Sequence, residues 1–228
     1  FSIPSPSPLN LISFSTAFVG DRSFFGFTAP LKGSRYRLEG GSTFGTLNFM
    51  TFLADFRQYF RVSPVTFAFR GMHYGRYFND AEDQRLFPLY VGYDHLVRGY
   101  SYSSFSTSEC TGVDCPELNR LIGSKLAVGN FEIRLPVLGH ERLSLIKSRV
   151  LPVDFNLFAD GGVAWRDNET PVWDFVTEST ERIPVFSAGA SFRINLFGYI
   201  IGEVYYAVPF QRPQRHEGVF GLSLSPGW

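Results

Sequence analysis

The 228-residue chain has no run of eighteen or more consecutive apolar residues, which excludes a transmembrane helix. A membrane is not excluded, because a transmembrane barrel spreads its signal over segments of about ten alternating residues. Charge of one sign is not in excess: 21 Lys and Arg balance 21 Asp and Glu. A nucleic-acid partner would require a basic surplus, so none is expected. His73, His95, His140 and His216 are scattered without metal-ligand spacing, and no cofactor or metal is expected. His140 and Glu141 read as solvated turn residues. No Gly-x-Ser-x-Gly elbow, phosphate loop or dinucleotide fingerprint occurs, and the chain does not read as an enzyme. It opens Phe1-Ser2-Ile3-Pro4 without a charged segment and an apolar one behind it, as a mature chain or the tail of something longer does.

Cysteine and methionine are also scarce, with two of each. Cys110 and Cys115 have four residues between them, the spacing of a small-loop disulfide in an oxidising compartment; two free thiols are the alternative.

What the chain does have is 25 Phe, 11 Tyr and 22 Gly, a composition of strands and turns. No shift in composition divides it, so one domain is expected, residues 11–228, after a Pro- and Ser-rich linker over residues 1–10. Period-two alternation marks nine strands. The first sets Ile12, Phe14, Thr16 and Phe18 against Ser13, Ser15, Ala17 and Asp21. Residues 24–30 prolong it, and Leu31-Lys32-Gly33 reads as a tight turn. Arg35, Arg37 and Glu39 alternate with Tyr36, Leu38 and Gly40. The third strand opposes Met50, Phe52, Ala54 and Phe56 to Thr51, Asp55, Arg57 and Tyr59. In the fourth, over 65–77, Val65, Phe67 and Phe69 face away from Thr66, Arg70 and Tyr74.

From Phe78 to Gly123 no periodicity survives, and a loop that long in an ordered domain is functional or disordered. The fifth strand follows it, with Ala127, Gly129, Phe131, Ile133 and Leu135 on one face and Asn130, Glu132 and Arg134 on the other. The sixth opposes Phe155, Leu157, Ala159, Val163 and Trp165 to Asn156, Asp160 and Gly162. In the seventh, Phe186, Ala188, Ala190, Phe192 and Ile194 oppose Ser187, Gly189, Ser191, Arg193 and Asn195. The eighth sets Val204, Tyr206 and Val208 against Glu203 and Tyr205. The last sets Phe220, Leu222, Leu224 and Trp228 against Gly221, Ser223 and Ser225. Short connections alternate with long ones, as on the two rims of an outer-membrane barrel.

Each strand thus has a bulky apolar face and a small, polar or charged one. A soluble sandwich or lipocalin-like barrel would bury the first and hydrate the second. Two features favour the reverse. The polar face is rich in Gly, Ser and Asn without the Lys and Glu excess of a hydrated surface, and the apolar face carries Phe and Tyr toward strand ends, like an aromatic girdle. The expected fold is therefore all-β: an antiparallel transmembrane β-barrel of the outer-membrane type. Asp55 with Arg57, and Arg193 with Glu203, read as salt links inside its lumen.

Several of these segments occur in a recognisable order: Val97-Arg98-Gly99-Tyr100, Asn130-Phe131-Glu132-Ile133-Arg134-Leu135-Pro136, Phe158-Ala159-Asp160-Gly161-Gly162-Val163-Ala164-Trp165, Ser187-Ala188-Gly189 and Tyr206-Ala207-Val208-Pro209-Phe210. Together they resemble the outer-membrane assembly-factor superfamily of the BamA and TamA type, whose barrel is called the bacterial surface antigen domain. The resemblance is close over residues 65–228 and looser before. It implies that the long loop folds into the lumen, where Arg98 reaches Glu132 and Asp160 beside Phe158, with Gly99 and Tyr100 completing the tip. It also implies sixteen strands and soluble POTRA repeats. Nine strands and no POTRA repeat are legible here. That suggests a short form of eight to ten strands, a barrel shared between copies, or the C-terminal part of a sixteen-stranded barrel.

Two functions follow from different classes. One is an assembly or translocation factor of a Gram-negative outer membrane that moves polypeptides, or lipid, through a seam between the first and last strands. Ile12, Phe14, Leu222, Leu224 and Trp228 would line that seam. The other is a structural anchor or accessory subunit of a larger envelope complex, with a homo-oligomer as one form. Membrane lipid and client or partner membrane proteins are the expected partners.

Overall fold

The computed structural model describes residues 8–105, 109–110, 115–140, 143–148, 151–175, 182–196, 198, 200–212 and 218–224. Nine long strands coincide with the nine expected from alternation: β1 (Leu11–Asp21), β3 (Pro30–Gly45), β4 (Phe49–Val62), β5 (Val65–Tyr77), β8 (Lys125–Gly139), β10 (Val153–Trp165), β11 (Val185–Leu196), β12 (Ile200–Pro209) and β13 (Val219–Leu224). Each pairs antiparallel with the next long strand, so the sheet is a simple meander. Short pieces complete it. β2 (Phe24–Phe25) continues the β1 edge along β3, and β9 (Ile146–Lys147) runs parallel to the end of β8. The long loop contains its own two-stranded ladder, β6 (Leu89–Tyr90) with β7 (Ile122–Gly123), and a helical turn α1 (Pro116–Asn119). It is therefore ordered over its described residues, where sequence periodicity had vanished.

Burial is inverted relative to a water-soluble protein. Glu132, Arg134, Asn156 and Arg193 are buried to 1% exposure or less, while Phe14, Phe220 and Leu222 are about 70% exposed or more. Leaving a side chain of that size in water forfeits about 1.5–3 kcal/mol. A whole outer face of them is stable only against hydrocarbon. The structure is thus the wall of an outer-membrane barrel, with lipid on the Phe, Leu and Val side. The core lies inside the curl of the sheet. There Val91, Leu96, Val97, Tyr100 and Leu121 of the long loop pack on Leu126 and Val128 of β8 and Ala164 of β10.

Two local expectations are corrected. Leu31-Lys32-Gly33 is not a turn but the start of β3; the chain reverses earlier, where the Gly26 amide donates to the Ala29 carbonyl (2.9 Å). That reversal bends inward. Thr28, Ala29 and Leu31 are buried, Thr28 meets Asp154 of β10, the Asn195 side chain reaches the Phe27 carbonyl, and Arg134 donates to the Pro30 carbonyl (3.2 Å). It becomes a floor across the lumen because Asp154, Arg134 and Asn195 offer buried polar partners that solvent on the outside would not. The rims are also less regular than short against long: residues 140–152 join β8 to β10 on the short-turn rim, and residues 46–48 make a tight turn on the long-loop rim.

The strands expected to flank the seam are the terminal ones. β1 and β13 are the two ends of the sheet, and no ladder joins them among the described residues. Because nine is odd, an antiparallel meander makes β1 and β13 run in the same direction. Within this sheet they could meet only as a parallel pair. β1 is exposed along both faces except at Gly20. Gly221 packs under the Tyr205 ring; Trp228 and Gly227 lie outside the described residues, as does most of the linker.

The orientation is testable at Leu157, mid-strand on β10 and 47% exposed. Leu157→Arg should destabilise the protein folded in phospholipid vesicles by about 2–4 kcal/mol, measured by urea titration. The same change at Ser15, on the polar face of β1, should be within about 1 kcal/mol of neutral.

Candidate functional site

The long loop brings Arg98 down to the lumen wall, where four adjacent strands each present a charged or aromatic side chain. Strand alternation and register set this up: Glu132 of β8 lies opposite Phe158 of β10, Asp160 opposite Asn130, and Arg193 of β11 opposite Glu203 of β12. All point away from lipid.

Arg98 is bound on every side. Its Nε donates to Asp160 Oδ2 (2.7 Å), Nη2 to Asp160 Oδ1 (2.9 Å), and Nη1 to Glu203 Oε1 (2.9 Å); Nη2 also pairs with Glu132 Oε1 at 2.9 Å. Its backbone amide donates to Asp160 as well (3.2 Å), and its guanidinium carbon sits 3.6 Å from the centre of the Phe158 ring. Arg193 grips Glu132 with both terminal nitrogens (2.8 and 2.7 Å) and Glu203 through Nε (3.1 Å). Arg134 adds an Nε bond to Glu132 (2.8 Å). Three guanidiniums therefore face three carboxylates, away from bulk water. Flat forks on paired oxygens are the strongest and most directional of such contacts.

Neighbouring residues fix the tip itself. Gly99 has φ +87°, a backbone region that side chains disfavour, and a Cβ there would lie 3.1 Å from Ala207. Gly162 of β10 makes room for the loop, since a Cβ would strike Val91 and Val97 within 3 Å. The Tyr100 hydroxyl accepts the Gln211 backbone amide (3.0 Å) and lies 2.9 Å from the Phe186 carbonyl, which can take its proton. Burial pushes the Tyr100 phenol well above its ordinary pKa, so it serves as a neutral donor.

The structure thus brings together Arg98, Gly99, Tyr100, Glu132, Phe158 and Asp160, the set that the family resemblance singled out. It does not bring together the seam set: Ile12 and Phe14 sit on one terminal strand, Leu222 and Leu224 on the other. Cys110 and Cys115 are joined as a disulfide. Beside that bridge Glu109 receives both forks of Arg212 (2.8 Å each), and Arg212 also donates to the Gly99 carbonyl (2.8 Å).

Sequence reasoning missed this second anchor, along with the Tyr205 bond to Asp94 (2.6 Å) and the Arg70 bonds to Asp55 and the His95 carbonyl (2.8 Å). Alternation did place Arg70, Tyr205 and Arg134 on the lumen face; their loop partners lie in aperiodic sequence with no comparable signal. Every carboxylate at the tip is engaged by guanidinium donors, which makes the arrangement a clamp.

Arg98→Ala would leave Asp160 and Glu203 short of a partner in a buried site. The expected loss is about 3–5 kcal/mol, read as new protease cleavage within residues 78–123 of the membrane-embedded protein. Arg98→Lys should restore only part of the protection, because an ammonium cannot reproduce the fork. Gly99→Ala should cost about 1–2 kcal/mol in the same assay, from its backbone alone.

The family model described as the Omp85 superfamily domain matches residues 10–227, almost the whole chain. No curated protein matches it. The match spans all nine long strands and the arginine-bearing loop, and with the lipid-facing wall it gives one assignment: the chain belongs to the Omp85 superfamily, outer-membrane proteins concerned with the insertion or translocation of other polypeptides.

Proposed function

We propose that the chain forms the working wall of a Gram-negative outer-membrane assembly or translocation factor, which admits client polypeptides at an open strand edge without an energy source or a catalytic step. The observation that carries this reading is the contrast between a braced wall and an open edge. β8, β10, β11 and β12 are tied into one block by the Arg98 cluster. β13 has six described pairs with β12 on one side and no described partner on the other. An unpaired edge is a template for another strand, and a rigid block beside it holds that template in place.

A second reading has its own support. β1 is exposed on both faces, and with nine long strands among the described residues antiparallel closure needs an odd number of further strands. In that reading the chain is a structural wall completed by a partner of a larger envelope complex.

A photo-crosslinking residue in place of Leu222 tests both. The first reading expects transient adducts to newly synthesised barrel proteins, which disappear when their synthesis is stopped. The second expects one stable adduct of fixed mass. Adducts to lipid alone would overturn both.

A further inference from the structure

We propose that the lipid-facing wall carries a binding site for one phospholipid acyl chain, in a trough under the loop between β10 and β11. The trough has a volume of about 650 Å³, within the range of about 300–1,000 Å³ typical of small-ligand pockets. Its floor is Gly71 of β5, Gly129 of β8 and Gly161 of β10, which lie directly opposite one another on three adjacent strands. Phe69 and Phe131 stand beside it, and Phe186 and Trp173 close it toward the long-loop rim.

The glycines have no other evident reason to be there. None of the three has a positive φ. A Cβ on Gly71 or Gly129 would meet nothing within 4 Å, so neither backbone geometry nor close packing requires them. Glycine inside a strand weakens it and often marks close approach by a ligand. Gly161 differs in an instructive way: a Cβ there would collide with the Phe186 ring at 2.8 Å, so its absence lets that ring lean over the trough.

The covering loop is an independent observation. Its described part reaches back to the outer face, where Phe175 packs on Phe186 and Phe210 with ring centres 5.5 and 6.0 Å apart. Trp173 remains 78% exposed beside it. Exposed Trp and Phe on this face belong at the membrane interface.

The occupant follows from position. The trough is continuous with the rows of exposed Phe, Leu and Val that meet hydrocarbon. Arg70, Asn130 and Asp160 also border it, but their side chains are engaged in the lumen by Asp55, the Leu96 carbonyl and Arg98, which leaves glycine and aromatic surface to the outer face. An acyl chain of the leaflet on the long-loop side fits that chemistry; a polar ligand does not. The site depends on the lipid-facing orientation alone, not on how clients are handled.

Trp173 can report on it. In protein left with Trp173 as its sole tryptophan (Trp165→Phe and Trp228→Phe within this sequence), reconstituted in phosphatidylethanolamine and phosphatidylglycerol vesicles with brominated acyl chains, Trp173 should be quenched beyond the level set by bulk lipid composition. Gly129→Leu should remove that excess while the protein still folds. Gly71→Val, smaller and also pointing into open space, carries the test if Gly129→Leu fails to fold. Native mass spectrometry of the detergent-extracted protein gives a readout free of tryptophan: one retained phospholipid in the parent, and none in the filled variant. Quenching that merely tracks bulk lipid, or an unchanged filled variant, would overturn the site. So would Gly129→Cys forming a disulfide between copies, since a second protein surface would then occupy the trough.

Discussion

Six side chains determine how the rest of this structure is arranged. Arg98, Arg134 and Arg193 balance Glu132, Asp160 and Glu203 inside the curl of the sheet, and no member can be removed without leaving a buried charge short of a partner. Five come from the wall and one from the loop. The loop is therefore not simply resting in the lumen: its Arg98 supplies the third cation of the set. The apolar packing above it, from Val91, Leu96 and Val97 onto Leu126 and Val128, then adds burial to a position already fixed by charge.

Much of this was legible because a strand between lipid and lumen must alternate strictly. β8 and β11 state their orientation outright, with Phe131 and Phe192 on one side and Glu132 and Arg193 on the other. The rule failed where the lumen is not polar. Leu126 and Val128 share the inner face of Asn130 and Glu132, yet they are hydrocarbon, because at that height the wall meets a packed loop instead of water. The turn at residues 26–29 was misplaced for a related reason. Thr28 and Pro30 look like an exposed reversal, and nothing local announces that Asp154 and Arg134 wait across the lumen. Arg212 with Glu109 joins two aperiodic segments about a hundred residues apart, where alternation has nothing to say.

The two sheet ends belong to the same physical account. Every other long strand has hydrogen-bonded neighbours on both sides. At β1 and β13 the outer row of backbone groups has none among the described residues, and in hydrocarbon each unsatisfied amide costs several kcal/mol. Such edges persist only if something covers them. The chemistry of an edge sets the covering element, another strand, more firmly than its identity.

Arg134 has a consequence of its own. One of its nitrogens grips Glu132, on which Arg98 also pulls, and another reaches the Pro30 carbonyl at the opposite mouth of the curl. Glu132 and Arg134, two side chains of one strand, thus connect the tip of the long loop to the inward-bent reversal below. The Arg98 tip and the reversal are therefore only two wall side chains apart, so the two mouths of the curl share a single polar chain.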